Sequence, residues 1–267
     1  MLPSRPAEAP TLDRDGPEMS GRHAASRRTV LNEILNALPP DELARVLARA
    51  ELVALKPRQV LIEPNLSVMY GYFIETGVAS VLAGAGERKP MEVCLVGRRG
   101  FVGIPVVLGT SRTPLRCMVQ IKGHAWRVAA GDLETLLREC PTLMKLLMAH
   151  IQGRLTQEAL LNVCNATHSV PERISRWLLM ARDRLKSDHI PATHDLIARM
   201  LGVRRPGVTD ALGALEKQGV VQLTRGAVEI RQFRLLERCA CRCFQRIDGE
   251  YERLVSDALG AGSPSSA

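Results

Sequence analysis

Two adjacent arginines, Arg204 and Arg205, stand where a short helical pattern begins. The N-terminus of a helix carries the positive end of the helix dipole and favours anions, so two cations there cost stability unless an anionic partner offsets them. Guanidinium groups bind phosphate oxygens and form bidentate hydrogen bonds with O6 and N7 of guanine. The type and position of these residues therefore indicate a helix end that binds an anion such as nucleic acid.

A second helical pattern precedes these arginines, and Gly202 lies in the short connection between the two. A steep crossing of two helices needs a small residue at the contact and a turn residue that tolerates positive φ, and Ala198 and Gly202 supply them. Thr193, followed by Asp195, suits the N-cap region of the first helix. The apolar residues expected on the inner face are Ile197, Leu201, Val203, Val208, Leu212 and Leu215. The pattern favours a helix-turn-helix over an ordinary helical hairpin.

A helix-turn-helix presents the N-terminal part of its second helix to the major groove. Two β-prone runs follow that helix around Thr224-Arg225-Gly226, which predicts a small hairpin with Arg225 at its tip. We expect Arg205 to read a base and Arg204 and Arg225 to contact phosphates. The full set of expected DNA-binding residues is Thr193, Arg204, Arg205, Pro206, Thr209, Asp210 and Arg225.

Charge and composition agree with a nucleic-acid partner. The chain has 267 residues and a net charge of +8, and residues 169–238 hold 13 basic against 8 acidic side chains, a net charge of +5. Mild basicity also serves solubility, so charge alone leaves both explanations open. No apolar run reaches the roughly 18 residues of a membrane span. No apolar stretch follows Ser26-Arg27-Arg28, so we expect no export signal and a cytoplasmic protein.

Changes in residue composition and hydrophobic pattern divide the chain into five parts. Residues 29–50 are helical in pattern with a break at Pro39-Pro40, and the stretch from Val53 to Val128 has short apolar runs separated by glycine-containing turns. The turns are Glu75-Thr76-Gly77, Gly84-Ala85-Gly86 and Gly97-Arg98-Arg99-Gly100. The predicted parts are a disordered tail at 1–25, a β-roll domain at 26–140, a dimerisation helix at 141–168, a winged helix-turn-helix at 169–238, and a helical extension with a disordered end at 239–267.

One helical pattern is unusually long. It begins at Pro141, which suits the first turn of a helix, and persists to about Asn165. A helix of this length has more apolar surface than one small domain covers, which favours a dimer contact, although a helix packed only on its own domain is the alternative. The residues expected in the dimer interface are Met144, Leu147, Ile151 and Leu155.

The seven cysteines are scattered and odd in number, which favours reduced thiols over disulfides. Cys239, Cys241 and Cys243 alternate with other residues, whereas metal and iron–sulfur sites usually space cysteines by two or more. We therefore expect no metal ligands and no cofactor, with a redox or iron–sulfur sensor as the alternative. The histidines show no catalytic spacing and none of the common catalytic motifs occurs, so we expect no enzyme.

The order of these parts resembles the Crp/Fnr superfamily of bacterial transcription regulators. The stretch Tyr72–Val81 is similar to that family's strand-turn-strand signature, and Gly100-Phe101-Val102-Gly103 is similar to the turn that leads into its effector pocket. The resemblance implies an α+β fold: an antiparallel, cyclic-nucleotide-binding-like β-roll, a long dimerisation helix and a C-terminal winged helix-turn-helix. It also implies a homodimer that binds a palindromic operator in double-stranded DNA and contacts RNA polymerase.

The effector pocket departs from the resemblance. Cyclic-nucleotide binders of this family have a glutamate for the ribose after the pocket glycine, and an arginine-serine pair for the phosphate. This chain has Ile104 after Gly103, and Leu115-Arg116 at the second place. We therefore expect an effector other than cyclic AMP, of unknown identity, at a pocket formed by Gly103, Ile104, Leu115 and Arg116. At two other positions that read bases in this family, this chain has Pro206 and Asp210, which differ from the family's usual residues. The operator sequence of the family therefore cannot be assumed for this chain.

Overall fold

A computed structural model describes residues 30–84 and 91–260. The tail predicted at 1–25, most of the Gly84-Ala85-Gly86 turn and the end predicted to be disordered after residue 260 lie outside these ranges. Among the described helices, none combines the length and the apolar character that crossing a membrane requires.

Two short helices open the described chain, and they are separated at the predicted proline break. They are α1 (Glu33–Asn36) and α2 (Pro40–Arg49). Asn32 caps α1, because its side-chain oxygen accepts hydrogen bonds from the backbone N–H groups of Ile34 and Leu35. Its amide group donates to the carbonyl oxygens of Ile74, Arg98 and Gly100, which fixes α1 against the sheet domain that follows.

Six antiparallel strands form the first domain, in which two strands of 14 residues pair along most of their length. The strands are β1 (Ala50–Leu55), β2 (Val60–Ile62), β3 (Tyr70–Ala83), β4 (Met91–Val96), β5 (Phe101–Val102) and β6 (Arg116–Ala129). The sheet order is β1-β6-β3-β4, with β2 on β6 and β5 on β3. The predicted β-roll is therefore present.

The prediction of a connecting turn at Glu75-Thr76-Gly77 is wrong. These residues lie within β3, where the register with β6 shifts repeatedly between Ile74 and Ala79. Gly77 has φ of 80°, and a Cβ atom there would lie 2.5 Å from the carbonyl oxygen of Ile121. A glycine inside a strand commonly marks such an irregularity, because it permits positive φ and a close backbone approach. The strand continues through the glycine.

Three further helices belong to this part of the chain. They are α3 (Ile104–Val107), between β5 and β6, then α4 (Ala130–Glu139) and α5 (Pro141–Thr167). Pro141 occupies the first turn of α5, as predicted, where its missing N–H leaves no hydrogen bond unmade. The N-terminal half of α5 joins the β-roll core through Leu143, Leu146 and Leu147, all buried.

The C-terminal part has its own core and contains the predicted helix-turn-helix with its hairpin. Its elements are α6 (Val170–Leu185), β7 (His189–Ile190), α7 (His194–Leu201), α8 (Arg205–Lys217), β8 (Val221–Thr224) and β9 (Ala227–Ile230). Ser169 and Glu172 form a capping box at the start of α6. The hairpin gains a third strand, since β7 pairs with β9. The α+β class with β-roll, long helix and winged helix-turn-helix is confirmed.

Two more helices, α9 (Phe233–Cys239) and α10 (Cys243–Ala258), complete the described chain. Helix α10 lies along α5, and Gly153 permits this approach, because a Cβ atom there would lie only 3.3 Å from Cδ2 of Tyr251. The C-terminal part also rests on the β-roll. Val78 and Leu95 of β3 and β4 join the C-terminal core, and a Cβ atom on Gly202 would lie 2.8 Å from Cε of Met91.

Candidate nucleic-acid interface

The α7–turn–α8 unit has the local geometry that its sequence requires. Thr193 caps α7, since its hydroxyl oxygen accepts a hydrogen bond of 3.1 Å from the backbone N–H of Leu196. Gly202 ends α7 with φ of 63°, in the left-handed region that favours glycine. The N–H of Val203 donates to the Ala198 carbonyl at 3.0 Å, which closes the turn. Of the predicted inner-face residues, Val203 is half-buried and the others are buried: Ile197, Leu201, Val208, Leu212 and Leu215.

The N-terminus of α8 is open to solvent. Arg204 is the N-cap without a side-chain hydrogen bond, Arg205 is the first helical residue and Pro206 the second. The first turn contains no acidic residue, so its free N–H groups and the two guanidinium groups face solvent together. All seven residues predicted to bind DNA are exposed: Thr193, Arg204, Arg205, Pro206, Thr209, Asp210 and Arg225. This helix end can accept a phosphate or a base edge without rearrangement of the core.

Two contacts at this surface involve residues beyond the predicted set. The Nδ1 atom of His194 lies 3.0 Å from the hydroxyl oxygen of Thr209, and Nε of Arg205 lies 3.4 Å from Oδ1 of Asp195. Both contacts join the first turn of α7 to the first two turns of α8. Sequence reasoning gave His194 no role, and its place in the first turn of α7, directly after the N-cap Thr193, was the signal that could have identified it.

The hairpin places a further basic side chain on the surface. Strands β8 and β9 are joined by Arg225 and Gly226, and Gly226 has φ of 83°, which suits a tight turn. Arg225 is exposed at the tip. A winged helix-turn-helix uses such a tip beside the recognition helix, so this arginine is available to a phosphate that flanks the major groove.

The four residues predicted for the effector pocket line one cavity of about 450 Å³ between the β-roll and α5. Gly103 has φ of 132° and precedes α3, and a Cβ atom there would lie 2.9 Å from Cα of Gly71. Ile104 begins α3 and is partly packed into the β-roll core. Apolar side chains dominate the walls, and Arg116 forms an ion pair with Glu63. The arrangement offers no carboxylate where the resemblance places the ribose ligand.

Sequence reasoning missed the contribution of α5 to this cavity. Ile151, Arg154, Leu155 and Glu158 complete its wall, and Arg154 forms an ion pair of 2.8 Å with Glu158. Because these residues lie far along the chain from Gly103, only the packing of α5 on the β-roll brings them together. A ligand in the cavity would contact the same helix that leads to the helix-turn-helix.

The long helix shows a different exposed face from the one predicted. Leu147 is fully buried in the β-roll core, and Met144 and Ile151 are half-buried against the same core, so Leu147 cannot contact a partner subunit. Leu155 alone of the predicted four is exposed, at 58%. Exposed residues recur along α5 at spacings of mostly three and four: Lys145, Met148, Gln152, Leu155, Ala159, Asn162 and Ala166. This stripe has the heptad spacing of a two-helix contact.

Four residues without an assigned role come together near the end of α5. The side chains of Cys164, His168, Cys241 and Cys243 offer ligand atoms that all lie within 4.8 Å of one another. The hydrogen bond between the Cys164 and Cys241 thiols lowers the pKa of Cys241 and raises the pKa of Cys164. The structure thus differs from the expectation of scattered thiols.

Cys94 and Cys117, by contrast, are buried in strands β4 and β6. Burial raises the pKa of Cys117 to about 12, so this thiol stays protonated at neutral pH.

Comparison with known families identifies the C-terminal domain. Residues 172–239 match the family model described as a Crp-like helix-turn-helix domain. This match spans α6, α7, α8, the three short strands and α9, and it ends before Cys241. Comparison with curated protein sequences finds no significant match.

Solved structures with the same fold extend the likeness to the β-roll and α5. FixK2 from Bradyrhizobium japonicum has a TM-score of 0.62 and 17% identity, over 72% of this chain and 98% of its own. The c-di-GMP responsive global regulator CLP of Xanthomonas campestris has a TM-score of 0.60 and 16% identity, over 72% of this chain and 99% of its own. A CRP/FNR-family transcriptional regulator from Thermus thermophilus has a TM-score of 0.59 and 21% identity, over 71% of this chain and 98% of its own.

The predicted resemblance is thus confirmed for the C-terminal domain, which matches a Crp-like family model, and for the fold of the chain. Residues 172–239 form a DNA-binding, Crp-like helix-turn-helix domain, and the chain has the fold of Crp/Fnr transcription regulators.

Proposed function

We propose that this Crp/Fnr-type chain is a homodimeric transcription regulator that binds an imperfectly palindromic operator. Each subunit presents α8 to one of two successive major grooves, about 34 Å apart on one face of the duplex. The chain acts by binding and not by catalysis. Binding to bacterial promoter DNA places its work in the cytoplasm, with RNA polymerase as the expected partner at the promoter.

The observation that carries this proposal is the solvent-facing, arginine-rich N-terminus of α8. Arg204 and Arg205 oppose the helix dipole, the first turn of α8 contains no acidic residue, and the contact of Arg205 with Asp195 of α7 is exposed and therefore weak. A duplex supplies the missing negative charge. Arg205, the first helical residue, is positioned to bind guanine, and Arg204 and Arg225 are positioned to bind phosphates.

The exposed stripe on α5 supports the homodimer. Met148, Leu155 and Ala159 form its apolar part and are all exposed, and Leu155 also borders the cavity beside α5. Pairing two such helices buries the stripe and relates the two α8 helices by a two-fold axis, which a palindromic operator matches. This interface replaces the one predicted around Leu147.

The cavity beside α5 supports an effector other than cyclic AMP. Ile104 cannot accept a hydrogen bond from a ribose hydroxyl, and Leu115 cannot bind a cyclic phosphate. The walls are mostly apolar, with Arg112, Arg116 and Arg154 as the basic groups. A ligand there would contact both α3 and α5, and so would act on the helix that connects to the helix-turn-helix.

The proposal is tested by selecting bound sequences from random duplexes with the purified full-length chain, with and without cell extract. We expect a footprint of two half-sites that is lost when either half is changed. Arg225→Ala should weaken all sequences alike and lower the salt dependence by about one unit for each lost phosphate contact. Arg138→Ala is the control, because Arg138 is an exposed arginine on α4 of the β-roll. No preference among duplexes at physiological salt would reject the proposal.

A further inference from the structure

A group of potential metal ligands lies where α5 ends and the C-terminal extension begins. Cys164 lies in the last turn of α5 and His168 directly follows that helix. Cys241 lies on the connection from α9 to α10, and Cys243 begins α10. The Sγ atoms of Cys164 and Cys241 are 3.4 Å apart. The Sγ atom of Cys243 is 3.8 Å from Nδ1 of His168. All four ligand atoms lie within 4.8 Å of one another.

These separations fit the corners of a tetrahedron around one ion. Bond lengths near 2.3 Å to sulfur and 2.0 Å to nitrogen place neighbouring ligand atoms about 3.5–3.8 Å apart. A disulfide needs sulfur atoms about 2.05 Å apart, so the Cys164–Cys241 distance is that of two separate thiols. An iron–sulfur cluster spreads its ligands over several iron atoms, which requires a wider frame than this one.

We propose that Cys164, His168, Cys241 and Cys243 bind a single Zn²⁺ ion. Three cysteines and one histidine are a ligand set of structural zinc sites, and soft thiolates select zinc over magnesium or calcium. Binding converts each thiol into a thiolate, so up to three protons leave to the solvent as the ion enters. Four protein ligands complete the tetrahedron and leave no open position for catalysis.

Two buried arginines beside the cluster provide a second, independent observation. Arg176 is 3% exposed and Arg173 is 9% exposed, and the Nε atom of each has no hydrogen-bond partner. In the described part of the chain, neither guanidinium forms an ion pair with a carboxylate. The charge of Arg176 acts on all three cysteines.

Burial of a cation that forms no ion pair is costly. Three thiolates around Zn²⁺ carry a net charge of −1, which supplies the anion that these arginines lack.

The position of the site gives it a structural consequence. The ion joins the junction between α5 and α6 to the start of α10, and α10 returns along α5 to the β-roll. There the Tyr251 hydroxyl donates to the Arg99 carbonyl at 2.6 Å. The Arg99 guanidinium forms ion pairs with Asp248 of α10 and Asp183 of α6. The metal therefore anchors one end of a helical brace that connects the helix-turn-helix domain to the β-roll.

The test uses the full-length chain, reduced and freed of metal with a chelator, and titrated with Zn²⁺ and separately with Co²⁺. We expect one ion per chain and the intense visible bands of tetrahedral, thiolate-bound Co²⁺. Cys243→Ser and His168→Asn should each lower the affinity at least about 100-fold, since even the loss of an outer partner costs 10–100-fold. Cys239→Ser is the matched control: this neighbouring cysteine is outside the cluster and should leave binding unchanged.

Hydrogen exchange of α10, measured with and without Zn²⁺, gives a readout that does not depend on variants. We expect faster exchange in residues 243–258 after metal removal. The proposal is overturned if the reduced chain fails to bind Zn²⁺ or to give the Co²⁺ bands. It is also overturned if these cysteines assemble a cluster of several irons with inorganic sulfide.

Metal binding is measured without DNA, so this result and the operator selection succeed or fail independently. A chain that binds one Zn²⁺ but shows no operator preference keeps this site and rejects the proposed regulator.

Discussion

The guanidinium Nε of Arg205 lies 3.4 Å from the carboxylate Oδ1 of Asp195, and both side chains are more than 60% exposed. Such an exposed pair contributes little to stability, typically about 0–1 kcal/mol. Its effect concerns binding instead. Asp195 occupies the first turn of α7, where the helix dipole favours an acid, and holds the side chain that we propose reads a base. When DNA binds, Arg205 must therefore leave Asp195 and contact a base instead.

Asp195→Asn is expected to raise affinity for operator DNA several-fold at low salt, because it frees Arg205 and removes a negative charge facing the phosphates. Arg205→Ala should cost about 1–3 kcal/mol per half-site and relax the preference at one base pair. In the double variant the gain from Asp195→Asn should shrink, since its partner is gone. Fluorescence anisotropy with matched and singly changed operators measures the affinity of the two single variants and the double variant. If Asp195→Asn raises affinity equally with and without Arg205, the two residues are not coupled.

Leu155→Glu is expected to convert the dimer into a monomer, because it places a charge in the exposed stripe of α5. Ile151→Glu would be less informative, since Ile151 also packs against the β-roll core and its loss would disturb folding. Leu66→Glu is the matched control, because Leu66 is 61% exposed in the β-roll away from α5. Light scattering at micromolar concentration gives the mass, and a monomeric wild-type chain would refute the dimer.

Cyclic AMP is expected to bind no tighter than about millimolar, which corresponds to roughly −4 kcal/mol. The reason is the apolar character of Ile104 and Leu115 where a ribose and a phosphate would need polar partners. Isothermal titration calorimetry measures this directly. Arg116→Ala should give the same flat titration as the wild type, and a micromolar dissociation constant for the wild type would contradict the pocket assignment.

Stability is expected to fall in mild acid because of His150. This side chain is 6% exposed, and burial, with the nearby positive charges of Arg154 and Arg184, lowers its pKa from 6.5 to about 3. Between these two values the unfolded chain takes up a proton that the folded chain excludes, so this group destabilises the fold progressively as pH falls below 6.5. At pH 5 the loss is about 2 kcal/mol, from about 1.4 kcal/mol per pH unit.

Urea unfolding at pH 7.5 and pH 5.0 measures this contribution. His150→Gln should lose about 2 kcal/mol less than the wild type between the two conditions, and comparing the chains cancels the other titrating groups. His124→Gln is the control, since the His124 side chain lies near the surface of the β-roll. Identical losses in the wild type and in His150→Gln would show that His150 becomes protonated without cost.

The helix-turn-helix was predictable because its determinants are local. Thr193, Ala198 and Gly202 act through caps, a crossing contact and a positive φ within ten residues of one another, so residue type and spacing alone identify them. The same holds for the start of α5 at Pro141. At Gly77 a local signal was misread: a glycine is common to turns and to irregular strands, and only pairing with β6 distinguishes them.

The amino-acid sequence by itself determined the order of the elements, the second helix of the helix-turn-helix with its N-terminal arginines, and the absence of the cyclic-nucleotide ligands at Ile104 and Leu115. Tertiary structure decided which face of α5 is free, because apolar residues lie on more than one of its faces and only the β-roll core selects Leu147 for burial. The tertiary structure also decided that the thiols of Cys164 and Cys241 lie in contact. These residues are 77 positions apart, and no local rule relates them; the return of α10 along α5 brings the two thiols within 3.4 Å.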